Sequence, residues 1–335
     1  MKFILSCTAA ALLVCPAPGE AGRLPAPAER AELVMGTVAR VAIVAGPRDP
    51  ATYEAGFAAL RAVDHAMSLY RPDSDLVRLN AHAGRHAEPL PDDLFALLVR
   101  ARELSALTEG AFDPTVLPLL LAWGAYADLA HLEAGDPAAV GFPALLLDPG
   151  ARSARFLLPG MALDLGGIAK GWALDRARAA LAARGVRRAR LDLGGNLAFV
   201  GDGPAPGWEV AVRDPARPAA TLGVVALPAA SAVATSANYA RDFAAEGWRA
   251  PSHVYDPRTR RPVLSRLAVT VWAPDATTAD ALSTALLVLG PTAAPRVLAR
   301  VPGAGALFAD GRDIAVHGHL PRAWRPRSSA TMEEL

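Results

Sequence analysis

Lys170 is the one lysine after Lys2, and it lies in the run Asp164-Leu165-Gly166-Gly167-Ile168-Ala169-Lys170-Gly171. Two glycines at a strand-to-helix turn let backbone N–H groups and the positive end of a helix dipole face an anion. A lysine in the first helical turn would stand beside that anion as a compact charge, which none of the many arginines supplies. The run lacks the Gly-Lys-Ser/Thr of a P-loop and the Gly-x-Gly-x-x-Gly of a dinucleotide fingerprint. A packed glycine turn followed by a surface lysine is the plainer alternative.

A second group, Asp280-Ala281-Leu282-Ser283-Thr284, sets a carboxylate and a hydroxyl four residues apart, on one face of a helix. With phosphate oxygens these form the hard-oxygen surroundings that Mg²⁺ takes when it bridges a nucleotide. The alternative is a helix-surface aspartate with a threonine bonded to its own helix. A third candidate is His253, which enters the polar turn Ser252-His253-Val254-Tyr255-Asp256-Pro257-Arg258-Thr259 and can gain or lose a proton near neutral pH. His317-Gly318-His319 has a metal-like alternation but reads as a surface strand. The loops Thr235-Ser236-Ala237-Asn238-Tyr239, Ala111-Phe112-Asp113-Pro114-Thr115 and Met67-Ser68-Leu69-Tyr70, with Asn80, offer aromatic faces with polar edges that suit a planar heterocycle, although each alone is an ordinary turn.

Positioning these residues takes alternating helices and strands. Residues 33–45, broken by Met35-Gly36-Thr37, read as a first strand. Residues 49–67 carry apolar Phe57, Leu60, Val63 and Met67 at helical spacing, and residues 91–107 form a second amphipathic helix. Residues 117–155 give a weak pattern of short helices and loops. A strand into residues 163–167, a helix over 168–184 and a strand over 188–193 follow. Further strands are expected at 208–213, 223–227, 231–235, 267–272 and 304–308, with helices at 275–289 and 294–301. Leu-Asp-Leu-Gly-Gly occurs at both 163–167 and 191–195, which we read as shared turn chemistry because the downstream sequences differ. The element order predicts an α+β fold with mixed or antiparallel sheets and packed helices.

The 335 residues are 52% hydrophobic with a formal charge of +1, which excludes disorder and argues against nucleic-acid binding. Residues 1–21 read as an export signal, with Lys2, an apolar run and small residues after it. Both cysteines, Cys7 and Cys15, fall within it. The expectation is a periplasmic protein with a 22–32 linker, a catalytic unit over 33–320 and a loose tail over 321–335. If Cys15 is lipidated instead, the protein is anchored to the inner membrane. Asparagine is confined to Asn80, Asn196 and Asn238, and glutamine is absent, so each asparagine is expected to serve a purpose that other residues do not.

In this order the motifs resemble the ApbE family of FAD:protein FMN transferases: Met35-Gly36-Thr37, Ser68-Leu69-Tyr70-Arg71-Pro72-Asp73-Ser74, Gly110 to Thr115, Asp164 to Gly171, Thr235-Ser236, His253 to Thr259, and Asp280 to Thr284. The resemblance implies a T-fold-related α+β enzyme that binds Mg²⁺ and uses FAD as its substrate. It would transfer FMN to a serine or threonine of an acceptor flavoprotein subunit of a membrane or periplasmic redox system, releasing AMP. It implies metal ligands at Asp280, Thr284 and a carbonyl of the turn at Gly167. Flavin-nucleotide contacts are implied at Met35, Tyr70, Ala111, Phe112, Asp113, Asp164, Lys170, Thr235, His253 and Val254. His253 is the candidate for moving the acceptor proton, and Lys170 for clamping the phosphates. Ala237 and Arg260 stand where the family commonly has glycine, and Arg260 alters the charge near His253. Two other readings keep the same residues: an FAD pyrophosphatase yielding FMN and AMP, and a flavin-binding maturation protein without turnover.

Overall fold

The computed structural model describes residues 28–126, 128–203, 207–217, 219–227, 231–238, 252–311, 313–319 and 323–326. The expected export signal and the first part of the expected linker lie outside them. In chain order the strands are β1 (Ala28–Val34), β2 (Thr37–Ala45), β3 (Glu88–Pro89), β4 (Leu145–Asp148), β5 (Ser153–Phe156), β6 (Arg188–Leu193), β7 (Asn196–Val200) and β8 (Trp208–Arg213). After these come β9 (Thr221–Leu227), β10 (Ala232–Ala237), β11 (Tyr255–Asp256), β12 (Arg261–Pro262), β13 (Ala268–Ala273), β14 (Gly305–Ala309), β15 (Ile314–Gly318) and β16 (Ala323–Pro326). The helices are α1 (Pro50–Met67), α2 (Asp75–Ala81), α3 (Asp92–Leu107), α4 (Leu117–Ala122), α5 (Ala169–Ala183), α6 (Ala276–Leu289) and α7 (Ala294–Leu298).

An eight-stranded antiparallel sheet, ordered β1-β2-β6-β7-β10-β13-β14-β15, forms the middle layer. Side-chain alternation along its central strands divides their apolar residues between two cores. On β14, Ala306 and Phe308 face the core under α6, whereas Leu307 and Ala309 face the small β16-β9-β8 sheet with Trp208, Val210 and Val225. On β13, Val269 and Val271 face the former and Trp272 the latter. Strands buried on both faces show no polar alternation, and these read as continuous apolar runs. Helix α6 packs against β10, β13 and α5, and is buried over nearly its whole circumference, in keeping with its almost unbroken run of apolar and hydroxyl residues. Asp275 caps it by accepting from the Thr278 N–H at 2.7 Å. Asp175 of α5 accepts from the N–H groups of Ala276 and Thr277 at 3.0 and 2.9 Å. Two carboxylates therefore satisfy donors that the first turn of α6 leaves unpaired.

The α+β prediction holds, and several element predictions need correction. The expected first strand is a hairpin, because Met35 and Gly36 adopt φ of 52° and 67° and form a two-residue turn of the primed type that matches strand twist. Strand β1 begins at Ala28, inside the expected linker, where Tyr53 Oη donates to the Ala28 carbonyl at 2.6 Å. Residues 163–167 join no sheet; Asn80 holds Leu163 in place of a strand partner, donating to its carbonyl at 3.0 Å and accepting from its N–H at 2.8 Å. The second Leu-Asp-Leu-Gly-Gly is the β6–β7 hairpin, with Gly194 and Gly195 both at positive φ. Residues 145–156 contain the β4–β5 hairpin, and β16 pairs with β9 inside the expected tail. His317 is on a strand as expected but is buried. Among the described residues no single helix is long and apolar enough to cross a membrane.

Candidate functional site

The 164–171 turn delivers two groups of side chains to one place. Its inner group gathers around α6. Asp280 is 4% exposed; its Oδ2 accepts from the Gly171 N–H at 2.9 Å and its Oδ1 from Asn196 Nδ2 at 2.8 Å. One turn along, Thr284 Oγ1 lies 3.4 Å from the Asp280 carbonyl and 3.4 Å from Ser236 Oγ. Ser236 Oγ is also bonded to Ser283 Oγ at 2.7 Å. Gly167 packs so closely here that a Cβ on it would come within 3.2 Å of Thr284 Oγ1 and 3.5 Å of the Phe112 ring. The Asp280 carboxylate and the Thr284 hydroxyl thus both meet the 167–171 turn, the first at the Gly171 N–H and the second against Gly167.

The outer group is aromatic and charged. Asp164 Oδ1 accepts from the Gly166 N–H at 2.6 Å, and Oδ2 accepts from Tyr126 Oη at 2.8 Å. Tyr126 meets Tyr70 edge to face at 5.8 Å, and Tyr70 is 60% exposed. Lys170 follows in the first turn of α5, with Nζ 3.5 Å from the Gly166 carbonyl. Burial pushes the Asp164 carboxyl above its ordinary range, against the opposing pull of the Gly166 N–H, the Tyr126 hydroxyl and the Lys170 charge.

That direction has a measurable sign. The folded protein holds the Asp164 proton over a range in which the unfolded chain has already lost it, so this group's contribution to stability is present at lower pH and falls as pH rises through the raised value. Asp164→Asn keeps a polar partner for Tyr126 and removes the titration. Its urea-unfolding free energy is expected to decline less steeply than that of the parent protein as pH rises from the ordinary carboxylate value of 3.8 through the raised value. Parallel pH profiles would contradict the assignment.

The remaining expected contacts divide. Phe112 reaches Gly167, and Ala111 is buried beside it. The Asp113 carboxyl is engaged within its own loop: Oδ1 accepts from the Thr115 N–H and Oγ1, and Oδ2 from the Phe142 N–H at 2.7 Å. It staples the loop that presents Phe112, and burial raises its pKa as well. Thr235 and Ser236 face opposite sides of β10. Thr235 is exposed and pairs with Thr270 Oγ1 at 2.9 Å across β10 and β13, while its neighbour Ser236 points to Thr284. Val254 is packed in the core beneath α6 with Leu282 and Leu286, leaving its backbone as the polar part. His253, half-buried, is held between Ser252, which bonds the Val254 N–H and carbonyl, and the β11–β12 turn. Met35, half-buried, sits in the β1–β2 turn and packs against the main core.

Tyr126, outside every motif, and polar residues in or beside the motifs complete the arrangement. Tyr126 bonds Asp164, Ser236 reaches Thr284, and all three asparagines hold site segments. Asn80 fixes Leu163 next to Asp164, Asn196 fixes Asp280, and Asn238 Nδ2 donates to the Val263 carbonyl at 2.6 Å while its Oδ1 accepts from Ser252 Oγ at 3.3 Å. Their rarity in the composition was the available signal.

Known proteins resemble this chain in sequence and in fold. The model of the ApbE family matches residues 35–308. The chain is 37% identical over 272 residues to an FAD:protein FMN transferase of Rhodobacter capsulatus, covering 74% of this chain and 50% of that protein. It is 32% identical over 312 residues to one of Treponema pallidum, covering 83% of each. The chain thus spans half the length of the first relative and most of the second. Among solved structures, the ApbE protein of Thermotoga maritima superposes with a TM-score of 0.72 at 30% identity, covering 84% of this chain and 94% of that one.

Proposed function

Because the chain belongs to the ApbE family, we propose that it transfers FMN from FAD to a serine or threonine hydroxyl of an acceptor protein, releasing AMP in a Mg²⁺-dependent reaction. The observation that supports this reading is that Asp280 and Thr284 both pack on the turn that carries Lys170, Asp280 accepting from the Gly171 N–H and Thr284 Oγ1 standing against Gly167. The donor set fits Mg²⁺: a carboxylate, a hydroxyl and the backbone carbonyls of residues 167–169 are all hard oxygens, and glycine at 167 leaves a cradle that a Cβ would occupy. Bound there, Mg²⁺ would neutralise charge on the diphosphate of FAD.

The chain's own groups account for the rest. The acceptor hydroxyl attacks the FMN phosphorus in line, a new P–O bond forms, and the bond to the AMP oxygen breaks. Lys170 balances the negative charge that builds on the departing phosphate. His253 takes the hydroxyl proton or relays it to solvent. Tyr70 and Tyr126, edge to face beside Asp164, offer ring surfaces to a planar heterocycle, and Phe112 packs on Gly167. The acceptor in this reading is a flavoprotein subunit of a membrane or periplasmic redox system, met after export.

Incubation with FAD, Mg²⁺ and a threonine-containing acceptor peptide is expected to give a peptide–FMN adduct by mass spectrometry with equimolar AMP. AMP and free FMN without an adduct, across several acceptors, would establish the pyrophosphatase instead; binding with no AMP at all would establish a flavin carrier. Lys170→Met is expected to slow adduct formation by about 100-fold, the scale of losing one charge-stabilising donor. An unchanged rate would remove Lys170 from the reaction.

A further inference from the structure

Away from the turn at 164–171, the connection from α2 to β3 gathers two imidazoles on one carboxylate. His82 Nδ1 lies 2.6 Å from Glu88 Oε2, and His86 Nε2 lies 3.4 Å from the same oxygen. The two rings are 4.4 Å apart between centroids. One ligand atom from each residue falls within 4.8 Å of the others. The geometry points to a transition-metal site, with Zn²⁺ as its natural occupant, formed by His82, His86 and Glu88 and separate from the oxygen-rich group around Asp280.

Zinc bonds to imidazole nitrogen and carboxylate oxygen near 2.0–2.2 Å place neighbouring ligands of a tetrahedral ion about 3.3 Å apart. His86 and Glu88 already stand at that spacing. His82 needs to draw back from the carboxylate by less than about 1 Å, exchanging a hydrogen bond for a metal bond through the same nitrogen, while the two imidazole nitrogens, within 4.8 Å of each other, adjust to the same spacing. The other carboxylate oxygen is committed: Arg78 Nε donates to Glu88 Oε1 at 2.8 Å, and Arg78 Nη2 is held by Asp75 at 2.7 Å. The arginine thereby fixes Glu88 with Oε2 turned toward both imidazoles, the outer-layer support that metal carboxylates ordinarily have. Glu88 is 10% exposed in its side chain, against 30% and 55% for the two histidines. The site is therefore anchored on its carboxylate side and open on its histidine side, where solvent can supply a fourth ligand. Two nitrogen donors make it a poor host for Mg²⁺ and a good one for Zn²⁺. An ion here would tie down residues 82–88, immediately beyond Asn80 and its grip on Leu163.

The test is calorimetric titration of ZnCl₂ into the untagged, EDTA-stripped chain in the continuous presence of saturating Mg²⁺, so that the Asp280 group is not scored. One Zn²⁺ is expected to bind with a dissociation constant on the order of micromolar or tighter, accompanied by a rise in melting temperature. His86→Ala, which removes an exposed side chain and so leaves folding intact, is expected to weaken binding at least tenfold, and His82→Ala/His86→Ala to abolish it. Co²⁺ substitution is expected to give the intense visible absorption of a four-coordinate centre in the parent protein and to lose it in the double variant. No heat of zinc binding in the parent, or equal binding in the double variant, would overturn the site; neither result bears on FMN transfer.

Discussion

Asp280→Asn is expected to give a folded protein in which FMN transfer falls on the order of 10³-fold, the several kcal/mol of transition-state stabilisation that a bound metal ion supplies. The side chain is almost wholly buried and both oxygens already accept hydrogen bonds, from the Gly171 N–H and the Asn196 amide. Asparagine retains an oxygen for Gly171, and its new amide group is accommodated when Asn196 turns over to present its own oxygen. Both hydrogen bonds survive, and the negative charge does not. Asp280→Ala would be a worse experiment, since it strands two buried donors at about 1–3 kcal/mol each and mixes instability with lost chemistry. The measurement is the rate of adduct formation across a Mg²⁺ titration, with a urea melt as the folding control. Normal turnover in a folded Asp280→Asn protein would remove Asp280 from the metal site.

Gly171→Ala is expected to damage both stability and activity, against helix propensity. Inside a helix the change from glycine to alanine ordinarily gains about 1 kcal/mol, and Gly171 does lie in the first turn of α5. Its Cβ, however, would stand 2.2 Å from the Ala276 carbonyl oxygen and 2.8 Å from Asp280 Cβ. These are backbone and branch atoms of the first turns of α6 and cannot swing aside, so the two helices must separate. Overpacking of this kind costs about 1–3 kcal/mol or more, which outweighs the propensity gain. Separation also draws the Gly171 N–H from Asp280 and the Gly167 turn from Thr284, so transfer should fall along with the urea midpoint. A stabilised, active Gly171→Ala protein would mean that the helices do not meet this closely.

How far the site could be read from sequence follows from how local each signal is. Asp280 and Thr284 are four residues apart on one helix, so periodicity alone puts them together. Lys170 is placed by its helix start. The Ser236 and Thr235 assignment depends on strand parity, and a shift of one residue turns the side chain to the other face; the sequence marks the pair but not which member faces α6. Asp113 shows a different limit. A carboxylate in a polar loop looks available until the Phe142 N–H, 29 residues further on, is found to occupy it. Tyr126 bonds Asp164 across 38 residues and Asn80 reaches Leu163 across 83, and no spacing rule reports such meetings. Helices α1 and α3 are legible because one face of each is apolar at helical intervals, and α6 because its run is apolar nearly throughout. Residues 163–167 imitate a strand because a segment held extended by one asparagine carries the same alternation as one held by a ladder.

Strand β16 gives the small sheet an outer boundary. Trp324 lies over Gly223 so closely that a Cβ there would come 2.7 Å from its ring, and Ala323–Pro326 pairs along β9. Trimming the chain ahead of residue 323 would lay bare a row of peptide donors and acceptors on an apolar strand, a template on which further copies can stack. Purification tags and fusion partners joined at this end therefore belong beyond Pro326, where they leave that margin closed.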